Sequence, residues 1–569
     1  MKRKLILLGV SLAIVAIGAL AGAVRLYDIK NYPAGLFPDV AANGEDALLI
    51  LKGDTRPFYP RGNGREALFF YLDAISIKAF GIGVWQMYLG SIAVGVATVI
   101  AIYFATSVYF GRLAGLLAAT FLATSSWHVA LSRTGFRAIM VPLFVALFTW
   151  FVGRVVQVVK KKQIGLSYWY AVLSGAAFSG GFYTYIAYRS MIGVVLGIVV
   201  LLLLAALHPK IGLPHIKKYR SQAGIALACA ILVILPLASY FYHHPKEFIG
   251  RAGQVSIFNK QLEQQFGGGT LLGTLQYSVT GTILSFFTHG DINWRQNVSG
   301  YPLLNPLVGL LFVLGLLFVL KGTWDVFVKM TSGKIIHLGM IFPYLLLVLL
   351  GMMAPVVTTA EGIPHALRSV GMAAPIYIMA GFAGALCIRY VLAWAKKRKI
   401  IGIAYGAIIG IIIVFGMYDI SLYFVISRNS PEAYIEYRGD LTVISAYIKE
   451  YAQRHPNNPR PILDIDPYFA QTTHFLDSVG ASDYTDHSLD SKQLYSVADS
   501  TKGLGPLVPA GQQIIFTQST MWDADQYAQK YKGSIKLITT QVNKFGAEIM
   551  RVYEGIKPAT PDNSFDLDA

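Results

Sequence analysis

Runs of apolar residues recur at 5–24, 85–106, 113–126, 138–159, 169–186, 191–207, 223–241, 303–320, 335–353, 370–388 and 401–423. A helix needs about 20 such residues to cross the ~30 Å of hydrocarbon in a bilayer, so the pattern predicts an all-α polytopic membrane protein with eleven spans. Hydrophobic residues make up 54% of the 569 and charged residues only 14%, which excludes an ordinary soluble globular chain. The first run follows Lys2-Arg3-Lys4, the basic start of a signal peptide. It is longer than a usual signal h-region, so it reads as a retained span.

The formal charge of +17 would suggest a nucleic-acid partner were it evenly spread. From residue 427 onward there are 13 Lys and Arg against 18 Asp and Glu, so the basic excess lies in the preceding part. With a cytoplasmic N-terminus it falls on Lys2 to Lys4, Arg112, Lys160 to Lys162, Lys217, Lys218, Arg220, Lys321, Lys329, Lys334 and Lys396 to Lys399, beside one acid, Asp325. That is the positive-inside distribution, and it predicts membrane lipids as partners and no nucleic acid. The stretch 270–287 then reads as a re-entrant or interfacial helix within a long external loop, 242–302. The division is a membrane domain, 1–426, with a first external loop at 25–84, and an extracytoplasmic α/β domain, 427–569. In the latter, 440–455 and 522–531 read as helices, 461–466 and 512–517 as strands, and 535–553 as a hairpin. Residues from Lys557 read as disordered.

The two cysteines, Cys229 and Cys387, lie inside apolar runs and imply neither a disulfide framework nor a metal site. The runs hold almost no ionisable groups, which weighs against an ion-coupled transporter. Chemistry gathers instead in the first external loop, where Asp39, Glu45, Asp46, Arg65 and Glu66 stand among glycines and prolines. Pro38 fixes the backbone before Asp39, 41–51 has helical spacing, and 66–80 reads as an amphipathic interfacial helix.

Arginines on the external face depart from the positive-inside bias: Arg133, Arg137, Arg189, Arg251 and Arg368, all at loop ends. A guanidinium there either snorkels to lipid headgroups or grips a phosphate with paired hydrogen bonds. Five on one face favour a shared anionic ligand. His243 with His244, and Glu361 with His365, complete no metal motif. A divalent cation, Mg²⁺ or Mn²⁺, stays open beside the carboxylates near Asp39, and the metal ligands are unknown.

The sequence Pro38-Asp39, followed by Gly44-Glu45-Asp46-Ala47 and Gly64-Arg65-Glu66-Ala67-Leu68-Phe69, resembles the bacterial members of glycosyltransferase family 39, the protein O-mannosyltransferase and aminoarabinose-transferase group. The likeness extends to Ser132-Arg133, Tyr188-Arg189 and His365 to Ser369. It implies a GT-C membrane fold and inverting transfer of a sugar from a polyprenyl-phosphate donor to an external hydroxyl acceptor in a protein, a lipid or an envelope polysaccharide. Asp39 matches the family's catalytic carboxylate. Val40 stands where an Asp-Glu pair would have its Glu, and Ala67 where proline is common. Asp46 and Arg65-Glu66 match the family's pattern, and together with Glu45, His365 and the five external arginines they are the candidate substrate-binding residues.

A hydroxyl acceptor needs a general base, and the departing lipid phosphate needs positive charge to stabilise it; a carboxylate and outward arginines supply both. The rival readings are a flippase or transporter of lipid-linked sugars, which needs no base, and a catalytically silent membrane scaffold.

Overall fold

The computed structural model describes residues 2–207, 218–248, 257, 264, 268–333, 337–359, 362–477 and 494–556. The residues after 556, read from sequence as disordered, lie outside the described residues, as do Arg251 and Glu361. The chain forms two compact units.

The first unit comprises Met1–Tyr27, Arg56–Leu72 and Tyr88–Ser427 and is helical. Among the described residues, eight helices are long and apolar enough to cross a membrane: Leu5–Leu26, Gln86–Phe110, Arg137–Lys160, Ile186–Leu207, Arg220–His243, Pro306–Thr331, Ala366–Lys397 and Ile401–Asn429. They coincide with eight of the eleven expected runs. The run at 113–126 is the first half of a broken pair, Arg112–Thr124 and Ser126–Ser132, bent by 62°. The break falls at Ser125, whose extended backbone and hydroxyl cap the second half through His128 N at 3.3 Å. The runs at 169–186 and 335–353 become Ile164–Gly180 and Ile341–Val357, each 17 residues. At ~1.5 Å per residue each extends about 25 Å, at the lower limit of a crossing. The stretch 270–287 forms the 15-residue helix Leu271–Ser285.

In lipid there is little hydrophobic drive between helices, so close packing and satisfied polar groups hold them together. A Cβ on Gly175 would lie 2.2 Å from Ala226 O, and one on Gly381 2.5 Å from Ala114 O. Backbones meet at both places because no side chain intervenes. The end of the helix Lys2–Leu26 is held by Arg25, which is fully buried. Its guanidinium donates to Ala21 O, Leu122 O and Ala123 O and to Ser132 Oγ, and meets His128 Nδ1 at 2.8 Å. Two of those carbonyls are the ones the break after Thr124 leaves without helical partners.

The second unit comprises Asp28–Thr55, Asp73–Met87 and Arg428–Ala569. Its sheet has the order β4-β3-β5-β7-β6, with β3 Ile462–Ile465, β4 Ser496–Asp499, β5 Gln513–Thr517, β6 Ile535–Val542 and β7 Glu548–Gly555. The first three strands run parallel, and β7 and β6 close the sheet antiparallel as the expected hairpin. Strand alternation sends Leu463, Ile465 and Ile515 to one core, with Leu441 and Ile444 of the helix Gly439–Arg454, and Ile514 and Phe516 to another with Tyr527. Strand β4 and the helix Pro467–Leu476 are elements that the sequence reading omits. The helix Pro38–Leu51 packs on Pro467–Leu476 so closely that a Cβ on Gly44 would lie 2.4 Å from the Phe475 ring.

Gly381→Ala is expected to cost about 1–3 kcal/mol by forcing apart the helices Arg112–Thr124 and Ala373–Lys397. Gly402, in a helix where a Cβ would meet nothing within 4 Å, should accept Ala without loss. Thermal unfolding in detergent measures both, and equal melting temperatures would contradict the packing account.

Candidate functional site

In the first unit the site begins with a short hairpin. Strands β1 Phe58–Tyr59 and β2 Arg65–Glu66 pair antiparallel, joined by a turn in which Gly62 and Gly64 take φ of 60° and 88°. Those values favour glycine. The hairpin places Glu66, 2% exposed, between two guanidiniums: Arg137 Nη1 lies 3.3 Å from Oε2 and Arg189 Nη2 3.4 Å from Oε1. Arg65, on the same strand, is also buried.

Each arginine stands on a turn that opens a membrane helix, Arg137–Ile139 and Ile186–Ser190. Arg137 lies over the Tyr185 ring at 5.4 Å, while Arg189 lies over Phe248 at 4.4 Å and Phe241 at 5.3 Å and donates to Phe248 O. The aromatic faces hold the flat cations by their quadrupoles. Among the described ion pairs, the two cations share this one carboxylate.

Arg368 stands in the short helix Ala366–Ser369, which packs on the Arg137 turn. The first amides of that helix are all accepted by side chains. Asp291 Oδ2 takes Ala366 N at 2.8 Å, Gln296 Oε1 takes Leu367 N, and His365 Nδ1 takes Arg368 N. Trp127 Nε1 donates to Ala366 O. His365 is therefore the cap that starts the segment carrying Arg368. Burial pushes the Asp291 carboxyl up to about 6, against its two amide bonds and the charges of Arg295 and Arg368.

One expectation changes. Arg133, proposed from sequence as a phosphate binder, is fully buried and donates to the carbonyls of Val24, Arg25 and Tyr27, with the Tyr423 and Phe424 rings beside it. It caps the first helix, whose last carbonyls lack helical partners, so the structure gives it this structural work in place of a phosphate. His243 and His244 bond to Ser239 O and Tyr240 O of their own helix. Among the described residues no group of three or more His, Cys, Asp or Glu could hold a metal ion, so no step is routed through one.

In the second unit Asp39 lies in the first turn of Pro38–Leu51 and accepts from the Tyr468 hydroxyl at 3.1 Å. Glu45, buried one and a half turns later, meets His474 Nδ1 at 2.7 Å. Asp46 is buried in the same helix, and Val40 faces the interior at 1% exposure. Sequence reasoning missed Tyr468, His474 and Asp291. The first two sit some 430 residues from their partners, beyond any local pattern, whereas Asp291-Ile292-Asn293 carries a turn signal, the Asp291 side chain accepting Asn293 N.

Residues 67–240 match the family described as dolichyl-phosphate-mannose-protein mannosyltransferase. The fold is similar to that of ArnT from Cupriavidus metallidurans bound to undecaprenyl phosphate, at 14% identity and a TM-score of 0.56 over 96% of this chain and 98% of that one. It is also similar to the apo oligosaccharyltransferase of Archaeoglobus fulgidus, at 13% identity and a TM-score of 0.51 over 93% and 69%. No curated protein matches the chain in sequence. The fold is thus the GT-C fold expected from the resemblance, and the chain is a multi-pass membrane protein.

Asp291 generates a prediction about pH. Its carboxyl is raised in the folded state from 3.8 to about 6, so its contribution to stability is fully present below about pH 4 and is lost as pH rises through about 6. The lost share is about 3 kcal/mol at most. Asp291→Asn should flatten that component of the melting temperature between pH 4 and 7; an unchanged profile would contradict the assignment.

Proposed function

We propose that the chain is an inverting glycosyltransferase that moves a sugar from a polyprenyl-phosphate donor to a hydroxyl acceptor on the outer side of the cytoplasmic membrane. The observation that carries this reading is the Glu66 carboxylate holding Arg137 and Arg189 beneath aromatic rings, on a fold shared with a protein that binds undecaprenyl phosphate. The division at residue 427, the cytoplasmic N-terminus and the external tail belong to the same reading and rest on the distribution of Lys and Arg.

The roles follow from the chemistry. Arg137 and Arg189 bind the donor phosphate, with Arg368 on the adjoining turn as a third cation. A planar guanidinium offers two parallel N–H groups to phosphate oxygens. As the C1–O bond to the phosphate breaks, the negative charge that grows on the leaving polyprenyl phosphate meets cations already in place, so little reorganisation is needed. Glu66 keeps the two guanidiniums positioned in the absence of the donor.

Asp39 is assigned as the general base. The acceptor hydroxyl attacks C1 from the face opposite the phosphate and gives its proton to the carboxylate, and the anomeric configuration inverts. Tyr468, donating to Asp39 Oδ1, fixes the carboxylate's orientation. Glu45 and Asp46, buried one to two turns on, support the helix that presents it. A flippase would share the arginines and need no base, so cleavage of the donor separates the two.

Purified protein given labelled polyprenyl-phosphate sugar should release polyprenyl phosphate. Asp39→Asn keeps the size and removes the proton acceptor, so transfer should fall about 10²–10⁴-fold while donor binding persists. Arg189→Lys should weaken donor binding, because an ammonium cannot reproduce the paired contact. Normal transfer by Asp39→Asn would refute the base assignment, and translocation without cleavage would refute the enzyme.

Orientation has its own check in intact cells. Cysteines introduced at Lys161 and Lys397 should resist an impermeant thiol reagent, and one at Asp499 should label. Labelling at Lys397 would reverse the topology.

A further inference from the structure

The second unit contains a cavity of about 570 Å³ that the reading above does not use. It lies at the carboxyl end of β5, where Gln518 and Ser519 follow the strand, and is walled on the other side by the β6–β7 hairpin through Asn543, Glu548 and Ile549. The chain runs from β3 out to β4 on one side and returns to β5 on the other, both parallel to β3. The order of strands therefore switches direction between β3 and β5, and in open α/β sheets ligands bind beyond the carboxyl ends of strands at such a switch. The volume is that of a site for a small molecule.

We propose that this cavity binds the acceptor of the transfer, and that the acceptor group it takes is a neutral saccharide unit of one or two rings. The proposal rests on the transferase reading. Three observations select the ligand.

The first is that the lining mixes two chemistries. Phe37, Phe469, Met521 and Ile549 present apolar surface, while Gln518, Asn543, Glu436 and Glu548 present groups that bond to hydroxyls. Gln518 Oε1 is shut from solvent with no hydrogen-bond partner among the described residues. A buried acceptor of that kind costs stability until a donor arrives, and a ligand hydroxyl would be such a donor. A sugar ring has C–H faces for the first set and hydroxyl edges for the second.

The second observation is charge. The one cation among the described lining residues, Arg438, is committed: Nε and Nη2 donate to the two oxygens of Asp440 at 3.0 and 2.9 Å, and its guanidinium lies 4.2 Å over Phe469. The other charged lining residues are Glu436 and Glu548, the second paired with Arg551, so the described lining offers a phosphorylated or acidic acceptor no uncommitted cation. An extended peptide is disfavoured too, because the cavity is at the strands' ends, away from a sheet edge whose backbone could pair with it.

The third observation ties the cavity to the reaction. Phe37 is both a wall of the cavity and the N-cap of the helix Pro38–Leu51. Its ring meets Tyr468 at 6.2 Å and Phe469 at 6.4 Å, each near edge-to-face, and the Tyr468 hydroxyl bonds to Asp39. Asp39 is two residues from Phe37, at most about 7 Å of chain. A saccharide held against Phe37 and Phe469 would therefore lie within reach of the assigned base.

Full-length protein in lipid nanodiscs, titrated by saturation-transfer difference NMR with the methyl glycosides of glucose, galactose and N-acetylglucosamine, tests the proposal. Methyl glucuronide and a Ser/Thr-containing hexapeptide serve as the charged and peptide comparisons. A neutral glycoside should bind, and Gln518→Leu and Ala547→Trp, the second narrowing the cavity from its exposed rim, should each weaken it about tenfold with unchanged melting temperature. Should Ala547→Trp unfold, Gln518→Leu alone decides. Absence of glycoside binding, affinity indifferent to both variants, or binding of the hexapeptide or glucuronide in place of the neutral sugars would overturn the assignment. The titration contains no donor, so failure of the transferase reading appears separately, as labelled donor left uncleaved while glycoside binding persists.

Discussion

Glu66 is the residue on which the first unit's site depends. Two guanidiniums brought to the ends of membrane helices would repel each other and would each bear a cost of several kcal/mol for leaving water. One carboxylate with an oxygen for each of them offsets that cost and sets their spacing. The aromatic rings of Tyr185, Phe241 and Phe248 cover the cations' faces and leave their edges to bond. A hairpin of two-residue strands, turning through two glycines, presents the carboxylate. Chain segments around residues 66, 137 and 189 thereby meet at one carboxylate.

The helical frame obeys the same economy of polar groups. At two helix breaks of the first unit the loose carbonyls or amides find side chains. Arg25 and Arg133 take the carbonyls at the end of the first helix and at the break after Thr124. Asp291, Gln296 and His365 take the amides that start the Ala366–Ser369 helix. In a low-dielectric surround each such group left alone would cost more than it does in water, which is why charged side chains appear here in structural positions.

That double use of arginine is what limited reading the site from the sequence. Hydropathy located the helices because a span's length and apolarity are local properties. Arginines on the external face stood out against the positive-inside bias, and Arg137 and Arg189 do converge on one carboxylate. Arg133, with the same sequence setting, is spent on backbone carbonyls, a distinction that depends on where the first helix ends in space. Glu66 was singled out with its loop, but its partnership with residues 71 and 123 positions away has no local signature. The second unit shows the limit more sharply. Strands β3 and β5 and the β6–β7 hairpin were legible by alternation and β4 was not, whereas Asp39 with Tyr468 and Glu45 with His474 join the two ends of the chain. Each of those pairs is made by two helices packing on each other, Pro38–Leu51 and Pro467–Leu476, and the second of these carried no periodic signal strong enough to be read.

The central claim is that the paired arginines receive the phosphate of a lipid-linked donor. A cryo-electron microscopy map of the protein in nanodiscs containing polyprenyl phosphate tests it most directly. The account predicts phosphate density within hydrogen-bond reach, about 2.7–3.2 Å, of the Arg137 or Arg189 guanidinium, with Glu66 still paired behind them. Phosphate density settled elsewhere, with both arginines unmoved and unoccupied, would contradict it.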